Sequence, residues 1–549
     1  MKRIYTVFAI LLPTLIIAQT GFMYTAEDTQ NVSNPEVITP IVASIAYQGY
    51  DETQAYFGQG EFEIFLDNVD GVLDKPIIIL DGFDPGDSRD INGLYNSFSF
   101  GGENLADIVR DEGFDIVILN APVYTTDGKT IDGGADYIQR NAMVLIELIN
   151  EMNAEKVGDE ELVILGPSMG GLIARYGLSY MEQNSLDPET RLYISFDSPH
   201  KGANIPIGLQ YLINYLADEF SDPQAQALVN SVLNSPAAKE MLYDHLLGHL
   251  LAGSATQQDP TKLMPFGAPD FRDAFQNELD ALGFPENVRN VAMINGAGDG
   301  TMIGMPGIQV IDTNLDITAG VTADVSINFT PAANQTINVT TFNTFLAGFP
   351  IGTFEADAQS GAIAGVDAAP GGFSNISNAL GGGAGNPVIQ DFVDALEQDE
   401  FSFIPTISAL ALETEDDWYA IPDLGDSPFD NVHIPSTNEA HVQPTAQNIQ
   451  FALSEILQIP LTVEENTADS RFQLVKNPVA DQIEIILKST SVQGPISATI
   501  YNSFGLQLSH FDIEVNAGTI TIPHNLSSGL YIIQIQDEKG SSSLKFLVK

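Results

Sequence analysis

Short apolar runs alternate with amphipathic segments over residues 38–200 of this 549-residue chain. Strands are predicted at the apolar runs, and helices are predicted between them at about 104–112, 137–152 and 171–183. In chain order the predicted strands are ITPIVASIAY, GEFEIFL, KPIIILDGF, FDIVILNA, ELVILG and RLYISFD. Continuous apolar strands separated by helices are typical of a mostly parallel sheet that is covered on both faces. The pattern therefore predicts an α/β fold.

The pattern changes twice after residue 200. Residues 204–282 are apolar with a helical period, and we expect an all-helical lid there, followed by a seventh strand at 291–294. Residues 313–395 begin with alternating Thr-rich strands and continue into a Gly/Ala-rich stretch at 361–385. We expect an insertion in the α/β domain there, with a flexible or poorly predictable second half.

The N-terminus has the pattern of a secretory signal peptide. Lys2 and Arg3 precede an apolar stretch at 4–17, and the small residue Ala18 marks the predicted cleavage point. We assign residues 1–19 to this peptide, because the apolar run is shorter than the roughly 20 residues that a membrane span needs. The sequence therefore predicts an exported protein with no stable membrane span.

The tail differs from the rest of the chain in charge and in period. It alternates apolar and polar residues as strands do, with Gly, Asn and Ser between the runs. After residue 470, six basic residues stand against six acidic ones, so the net charge of −52 arises from the first 470 residues. The polar run at 462–470 predicts a linker between an α/β domain at 20–461 and a small all-β sandwich at 471–549.

Charge and cysteine content limit the chemistry. The chain has 21 Lys and Arg residues against 73 Asp and Glu residues, and such a field repels nucleic acid and anionic membranes. It has no cysteine, which excludes thiol catalysis and cysteine-based metal sites. We therefore expect no nucleic-acid partner and no cofactor.

The segment 162–178, LVILGPSMGGLIARYGL, has the pattern of a nucleophile elbow. An apolar strand breaks at a turn that carries Ser168, and an apolar helix follows. Small residues two positions before and after the serine, Gly166 and Gly170, allow close backbone contacts at such a turn. Gly-x-Ser-x-Gly is a weak pattern by itself, but the flanking strand and helix strengthen it. We expect Ser168 to be a catalytic nucleophile.

A serine nucleophile needs a base within hydrogen-bond reach and an acid that orients the base. We expect the acid to be Asp299, on a Gly-rich turn after the seventh strand, with Asp197 after the sixth strand as the alternative. Of the seven histidines, two lie in the tail, two lie in the predicted lid and one precedes the expected acid. His441 and His433 remain as candidate bases. We prefer His441, because it lies just before a predicted amphipathic helix that begins near Pro444.

An oxyanion hole needs two backbone N–H groups that point at one position. We expect one from Met169, directly after the nucleophile, and the other from Phe83, in the loop after the third strand. The same loop contains Asp84, Asp87 and Asp90, whose spacing would permit a calcium site, although we prefer a solvated acidic loop.

Together, the elbow, the segment Ser198-Pro199-His200-Lys201-Gly202, the predicted lid and the order Ser168, Asp299, His441 resemble those of α/β-hydrolase lipases and GPI-inositol deacylase-like esterases. The resemblance covers about 70–310 and 400–458. It implies an α/β-hydrolase fold and an ester or lipid substrate. Many lipases have a histidine where this chain has Asp81. A peptidase or amidase on the same fold and a non-catalytic surface adhesion protein are the alternatives.

The tail resembles the C-terminal sorting domain of type IX secretion substrates. The resemblance rests on Asn477-Pro478, Ile500-Tyr501-Asn502, Phe504-Gly505, Leu526 to Tyr531 and the terminal Lys-Phe-Leu-Val-Lys. It implies that the type IX secretion machinery is a partner and that the protein passes through the periplasm and outer membrane to become secreted or attached to the cell surface. A carbohydrate-binding or adhesive β-sandwich is the alternative.

Overall fold

The computed structural model describes residues 37–380, 386–412 and 414–457, and in the tail 472–479, 482–487, 496–502, 507–513, 519–526, 529–537 and 540–548. The chain forms two compact units, Met1–Leu457 and Gln458–Lys549. The predicted signal peptide at 1–19 and linker at 462–470 lie outside the described residues. Within the described part of the chain, no helix has the length and hydropathy required to cross a membrane.

The strands of the first unit include a central sheet and several smaller ones. In chain order they are β1 (Thr39–Tyr47), β2 (Tyr56–Phe65), β3 (Pro76–Leu80), β4 (Ser99–Phe100), β5 (Glu103–Asn104), β6 (Asp115–Asn120), β7 (Val123–Thr126), β8 (Lys129–Asp132), β9 (Leu162–Pro167), β10 (Thr190–Phe196), β11 (Arg289–Met293), β12 (Gln309–Thr318), β13 (Val321–Asn328), β14 (Thr336–Leu346), β15 (Phe349–Gln359), β16 (Gly371–Asn375), β17 (Glu400–Pro405) and β18 (Asn431–His433).

The helices of the first unit connect these strands. In chain order they are α1 (Ile91–Asn96), α2 (Leu105–Asp111), α3 (Ile138–Glu155), α4 (Met169–Gln183), α5 (Ile207–Glu219), α6 (Pro223–Ala227), α7 (Pro236–Met241), α8 (Arg272–Leu282), α9 (Ile376–Ala379), α10 (Pro387–Asp394), α11 (Thr406–Ala409) and α12 (Ala446–Ile456). A π-helical turn, Leu228–Leu233, continues α6.

The central sheet has eight strands in the order β1-β2-β6-β3-β9-β10-β11-β18. Strand β2 is antiparallel to both of its neighbours, and from β6 to β18 each strand is parallel to the next. Counted along the chain, these strands have the order 1-2-4-3-5-6-7-8 with the second strand reversed. This is the α/β-hydrolase fold that the sequence predicts.

Both faces of the sheet are covered, which explains why its central strands carry apolar residues at consecutive positions, as β3 does. On β3, Ile78 and Leu80 face one core, which includes residues of α3 and α4. Ile77 and Ile79 face the opposite core, which includes residues of α1, α2 and α12. Because the carboxyl ends of parallel strands share one edge of the sheet, the loops after β9, β10, β11 and β18 come together there.

The predicted lid at 204–282 is only partly helical. Helices α5, α6 and α7 form its first part, which we call the cap, but residues 249–271 contain no helix. Three prolines in that stretch, Pro260, Pro265 and Pro269, lack the N–H that a helix interior requires. Helix α8 belongs to the body of the domain, because Arg175 of α4 donates hydrogen bonds to the Leu279 and Gly283 carbonyls.

The predicted insertion at 313–395 contains more regular structure than its sequence indicates. Strands β12 to β15 form an antiparallel sheet that packs on α5, where the Tyr215 and Phe354 rings stack with centroids 4.3 Å apart. Part of the Gly/Ala-rich stretch forms β16, which pairs with β17 in a two-stranded antiparallel sheet. We call this sheet the β16–β17 pair.

The second unit consists of two antiparallel sheets, in the orders β19-β20-β23 and β22-β21-β24-β25. Their apolar faces share one core, to which Ile483 and Ile485 contribute from one sheet and Ile533 and Ile535 from the other. The strands are β19 (Phe472–Leu474), β20 (Gln482–Leu487), β21 (Ile496–Asn502), β22 (Gln507–Ile513), β23 (Thr519–Pro523), β24 (Gly529–Asp537) and β25 (Gly540–Val548).

Candidate active site

Ser168 occupies the sharp turn between β9 and α4. Its φ of +52° lies in the left-handed region, which a non-glycine residue adopts only where the surroundings enforce it. The Ser168 N–H donates to the Phe196 carbonyl at 2.8 Å, which fixes the turn to the neighbouring strand. A Cβ on Gly166 would lie 2.5 Å from the Gly170 oxygen, and one on Gly170 would lie 2.8 Å from the Asp81 oxygen. The tight backbone packing therefore requires both glycines.

Ser168, His441 and Asp197 form a continuous hydrogen-bonded chain. The His441 Nε2 atom lies 2.9 Å from the Ser168 hydroxyl, and its Nδ1 atom lies 2.7 Å from Asp197 Oδ2. All three residues are buried. An ionised carboxylate accepts only, so Nδ1 carries the proton and the lone pair of Nε2 faces the serine. This tautomer is the one that can accept the serine proton.

The expectation that Asp299 is the acid has to be corrected. Asp299 lies on the loop after β11. Hydrogen bonds from the Thr301 side chain and from the Thr301 N–H, the latter at 2.9 Å, lower the pKa of its carboxyl group. Asp197, the alternative, directly follows β10 and contacts the imidazole instead. The loop after β11 supplies a donor to this carboxylate, because the Asn295 N–H donates to Asp197 Oδ1 at 3.0 Å.

The two candidate histidines have different surroundings. His441 lies after β18 and before α12, whose Thr445 and Asn448 form a capping box. His433 is the last residue of β18 and pairs with Met293 of β11. Burial lowers the pKa of His433, and its Nε2 atom has no hydrogen-bond partner. Only His441 is hydrogen-bonded to Ser168 among the residues that the structure describes.

The two residues expected to form an oxyanion hole lie beside Ser168. Met169 is the first residue of α4, where a backbone N–H has no partner within the helix. Phe83 lines the same cavity as Ser168. Between Asp81 and Phe83, the Gly82 N–H is already used, because it donates to Asp81 Oδ1 at 2.7 Å. The arrangement is compatible with an oxyanion hole formed by the Phe83 and Met169 N–H groups.

Asp81, which directly precedes Gly82, forms a buried ion pair with Arg89. Burial raises the pKa of Asp81 to about 6, although the Arg89 charge opposes the shift. The Asp81 side chain therefore helps to fix the backbone at Gly82.

The three aspartates considered for calcium accept hydrogen bonds from protein groups. Asp84 accepts from the Ser88 hydroxyl and the Arg89 N–H, Asp90 caps α1, and Asp87 accepts from the Asn120 amide. In the described ranges, no cluster of three or more acidic or histidine side chains has the arrangement of a metal site.

A small apolar cavity lies beside Ser168. Apart from the serine, its walls are apolar. Phe83 contributes from the predicted oxyanion loop, Val232, Ala238 and Met241 contribute from the cap, and Phe403 and Ile404 contribute from β17. The sequence did not indicate that β17 would border this cavity.

Comparison with known proteins identifies the tail. Residues 477–549 match the family described as a secretion system C-terminal sorting domain, which confirms the resemblance seen in the sequence. This domain indicates export by type IX secretion, to the medium or the cell surface. The chain matches no curated protein.

Solved structures provide distant similarities to the first unit. The chain is similar to Est1E from Butyrivibrio proteoclasticus, at 11% identity over 43% of this chain and 73% of that one, with a TM-score of 0.22. The Pyrobaculum calidifontis esterase shares 7% identity over 47% of this chain and 66% of that one, with a TM-score of 0.23. The α/β hydrolase GrgF from Penicillium sp. sh18 shares 13% identity over 30% of this chain, with a TM-score of 0.19. The match covers 48% of GrgF, about half of its length. The fold assignment rests on the strand order and the elbow of this chain.

Proposed function

We propose that the first unit is a serine hydrolase that cleaves carboxylic esters. The observation that carries this proposal is the pair of hydrogen bonds that joins Ser168, His441 and Asp197 at the carboxyl edge of the sheet. In such a chain the imidazole accepts the serine proton, and the carboxylate stabilises the imidazolium that forms.

The proposed reaction has two halves. Ser168 Oγ attacks the acyl carbon while His441 Nε2 takes its proton, and the Phe83 and Met169 N–H groups stabilise the oxyanion. The tetrahedral intermediate collapses when His441 gives this proton to the leaving alkoxide, and an acyl-serine remains. Water then attacks the acyl carbon, His441 again takes and returns a proton, and the carboxylic acid leaves.

The apolar cavity supports an acyl group as the part of the substrate bound beside Ser168. Its cap residues, Val232, Ala238 and Met241, are apolar, so an aliphatic chain that contacts them would leave no polar group of theirs unsatisfied. We therefore propose a lipase-like preference for aliphatic esters. The sorting domain supports a site of action outside the cell, which the chain reaches through the periplasm with the type IX machinery as partner.

A fluorophosphonate probe tests the proposed nucleophile. We expect covalent labelling of the wild type and none of Ser168→Ala. Absence of labelling in a folded wild type would leave the non-catalytic adhesion protein as the better hypothesis. Hydrolysis of p-nitrophenyl esters from acetate to palmitate, compared with matched anilides, then separates an esterase from an amidase.

An emulsion assay tests the lipase-like preference. If the cap covers the cavity and opens at an oil surface, triglyceride hydrolysis rises sharply once emulsion forms, because apolar area leaves water at roughly 25 cal/mol for each Å². Activity on soluble butyrate esters follows substrate concentration in either case. If the rate of triglyceride hydrolysis shows no jump when emulsion forms, and acetate esters are preferred, the lipase-like preference is wrong and the enzyme is an esterase for short esters.

A further inference from the structure

Strand β16 of the β16–β17 pair lies directly against the proposed acid. The backbone of Gly372 packs on the Asp197 carboxylate so closely that a Cβ on Gly372 would lie 2.0 Å from Oδ2. This oxygen is the one that accepts the imidazole N–H. The φ of Gly372 is not in the left-handed region, so the lack of a side chain at this position is explained by space and not by backbone conformation.

The same strand also holds the loop that carries the proposed base. The Phe373 carbonyl accepts the His441 N–H at 2.8 Å, and the Phe373 N–H donates to the Glu439 carbonyl at 3.0 Å. The two bonds attach β16 to the backbone on both sides of Ala440. A shift of β16 would therefore move the imidazole as well as the carboxylate.

The second strand of the pair, β17, contacts both the imidazole and the cavity. The Phe403 ring lies 4.9 Å from the His441 ring, centroid to centroid, with an interplanar angle of 81°. Phe403 also lines the cavity at Ser168. The β16–β17 pair thus contacts the proposed acid, the proposed base and the space that a substrate would occupy, although it comes from a part of the chain that the main sheet does not include.

We propose that Gly372 is a positioning residue: its backbone closes over Asp197 and sets the direction in which the carboxylate faces His441. This inference rests on the proposed function and adds the insertion to the structure that maintains the triad. A methyl group at position 372 must displace Asp197 Oδ2 or the strand. Either movement lengthens the bond to Nδ1 and disturbs the imidazole, while the cavity walls contributed by the cap remain in place.

The first experiment compares Gly372→Ala with a matched glycine of the same insertion. Gly361→Ala is the control, because a Cβ there would meet only the flexible end of Met264, at 3.0 Å. We expect Gly372→Ala to lower kcat on p-nitrophenyl butyrate about 100-fold, the scale of a misplaced catalytic group, with KM within about twofold. Gly361→Ala retains the wild-type kcat. A Gly372→Ala kcat within about twofold of wild type would overturn the proposal.

The second experiment is a double-mutant cycle with Asp197→Ala, which removes the carboxylate and makes room for the methyl group. If Gly372 acts through Asp197, adding Gly372→Ala to Asp197→Ala lowers neither kcat nor the melting temperature further. Equal losses in both backgrounds would show a general structural role and overturn the proposal. A single variant that fails to fold while the double variant folds supports it, and failure of both overturns it.

The melting temperatures also separate this inference from the proposed function. If the wild type hydrolyses no ester, the proposed function fails. The cycle measured by thermal unfolding still shows whether the contact between Gly372 and the carboxylate exists.

Discussion

Replacing Asp197 by Asn tests the proposed triad most sharply, because the substitution keeps the shape of the side chain and removes only the charge and one acceptor. Asp197 Oδ1 accepts the Asn295 N–H, and Oδ2 accepts the His441 Nδ1–H. An amide has a single oxygen. If that oxygen faces His441, the NH₂ group points at the Asn295 N–H and two donors meet. The favoured orientation therefore places the oxygen toward Asn295.

In that orientation the NH₂ group of the new side chain faces the imidazole. His441 then accepts at Nδ1 and carries its proton on Nε2, so it has no lone pair for the Ser168 proton. A triad in the wrong tautomer loses about 10⁴-fold in kcat. At about 1.36 kcal/mol for each factor of ten, this equals about 5.4 kcal/mol of lost transition-state stabilisation.

The assay is hydrolysis of p-nitrophenyl butyrate under saturating conditions, with circular dichroism to show that each variant is folded. Asp299→Asn is the matched control, because Asp299 accepts only from its own turn. We expect its kcat to stay within about twofold of wild type, as usual for a surface substitution. A folded Asp197→Asn enzyme with more than about a tenth of wild-type kcat, or an inactive Asp299→Asn, would refute the assignment.

Three further predictions concern the base, the tail and a buried acid. His441→Ala lowers kcat by several orders of magnitude and His433→Ala has little effect, as measured with the same ester, and the reverse result would identify His433 as the base. A chain of residues 21–460 folds and retains the full rate of ester hydrolysis, and inactivity of a soluble, monodisperse preparation would contradict this. Burial raises the pKa of Glu240 well above its usual 4.5, so the free energy of unfolding falls as pH rises from 4.5 through the raised pKa. Thermal unfolding from about pH 4 to pH 8 should show a smaller alkaline loss for Glu240→Gln than for wild type, and parallel curves would contradict the prediction.

Local patterns allowed the sequence to predict the elbow and the main sheet. The strand, turn and helix around Ser168 follow one another directly in the chain. Their close backbone contacts depend on Gly166 and Gly170, which are visible in the sequence. The strands of the main sheet are apolar because both of their faces are covered. His441 could be proposed from the sequence because a predicted helix begins close behind it, near Pro444.

The acid and the insertion depended on tertiary structure. Asp197 and Asp299 both follow parallel strands, and the sequence does not show which loop turns toward the imidazole. The Gly-rich run around Gly372 has no strand period, since its glycines are required by contact with Asp197 and with the Ile404 carbonyl. Neither partner is close to it in the chain.

The order in which the site is completed follows from the long separations within it. His441 lies 273 positions after Ser168 and 244 after Asp197, and the β16–β17 pair lies between Asp197 and His441 in the chain. Contacts of such separation form late, because the intervening chain must first be ordered. A nascent chain that has emerged only as far as β15 contains Ser168 and Asp197 but not His441. Under the proposed mechanism, ester hydrolysis therefore begins only after almost all of the first unit has been synthesised.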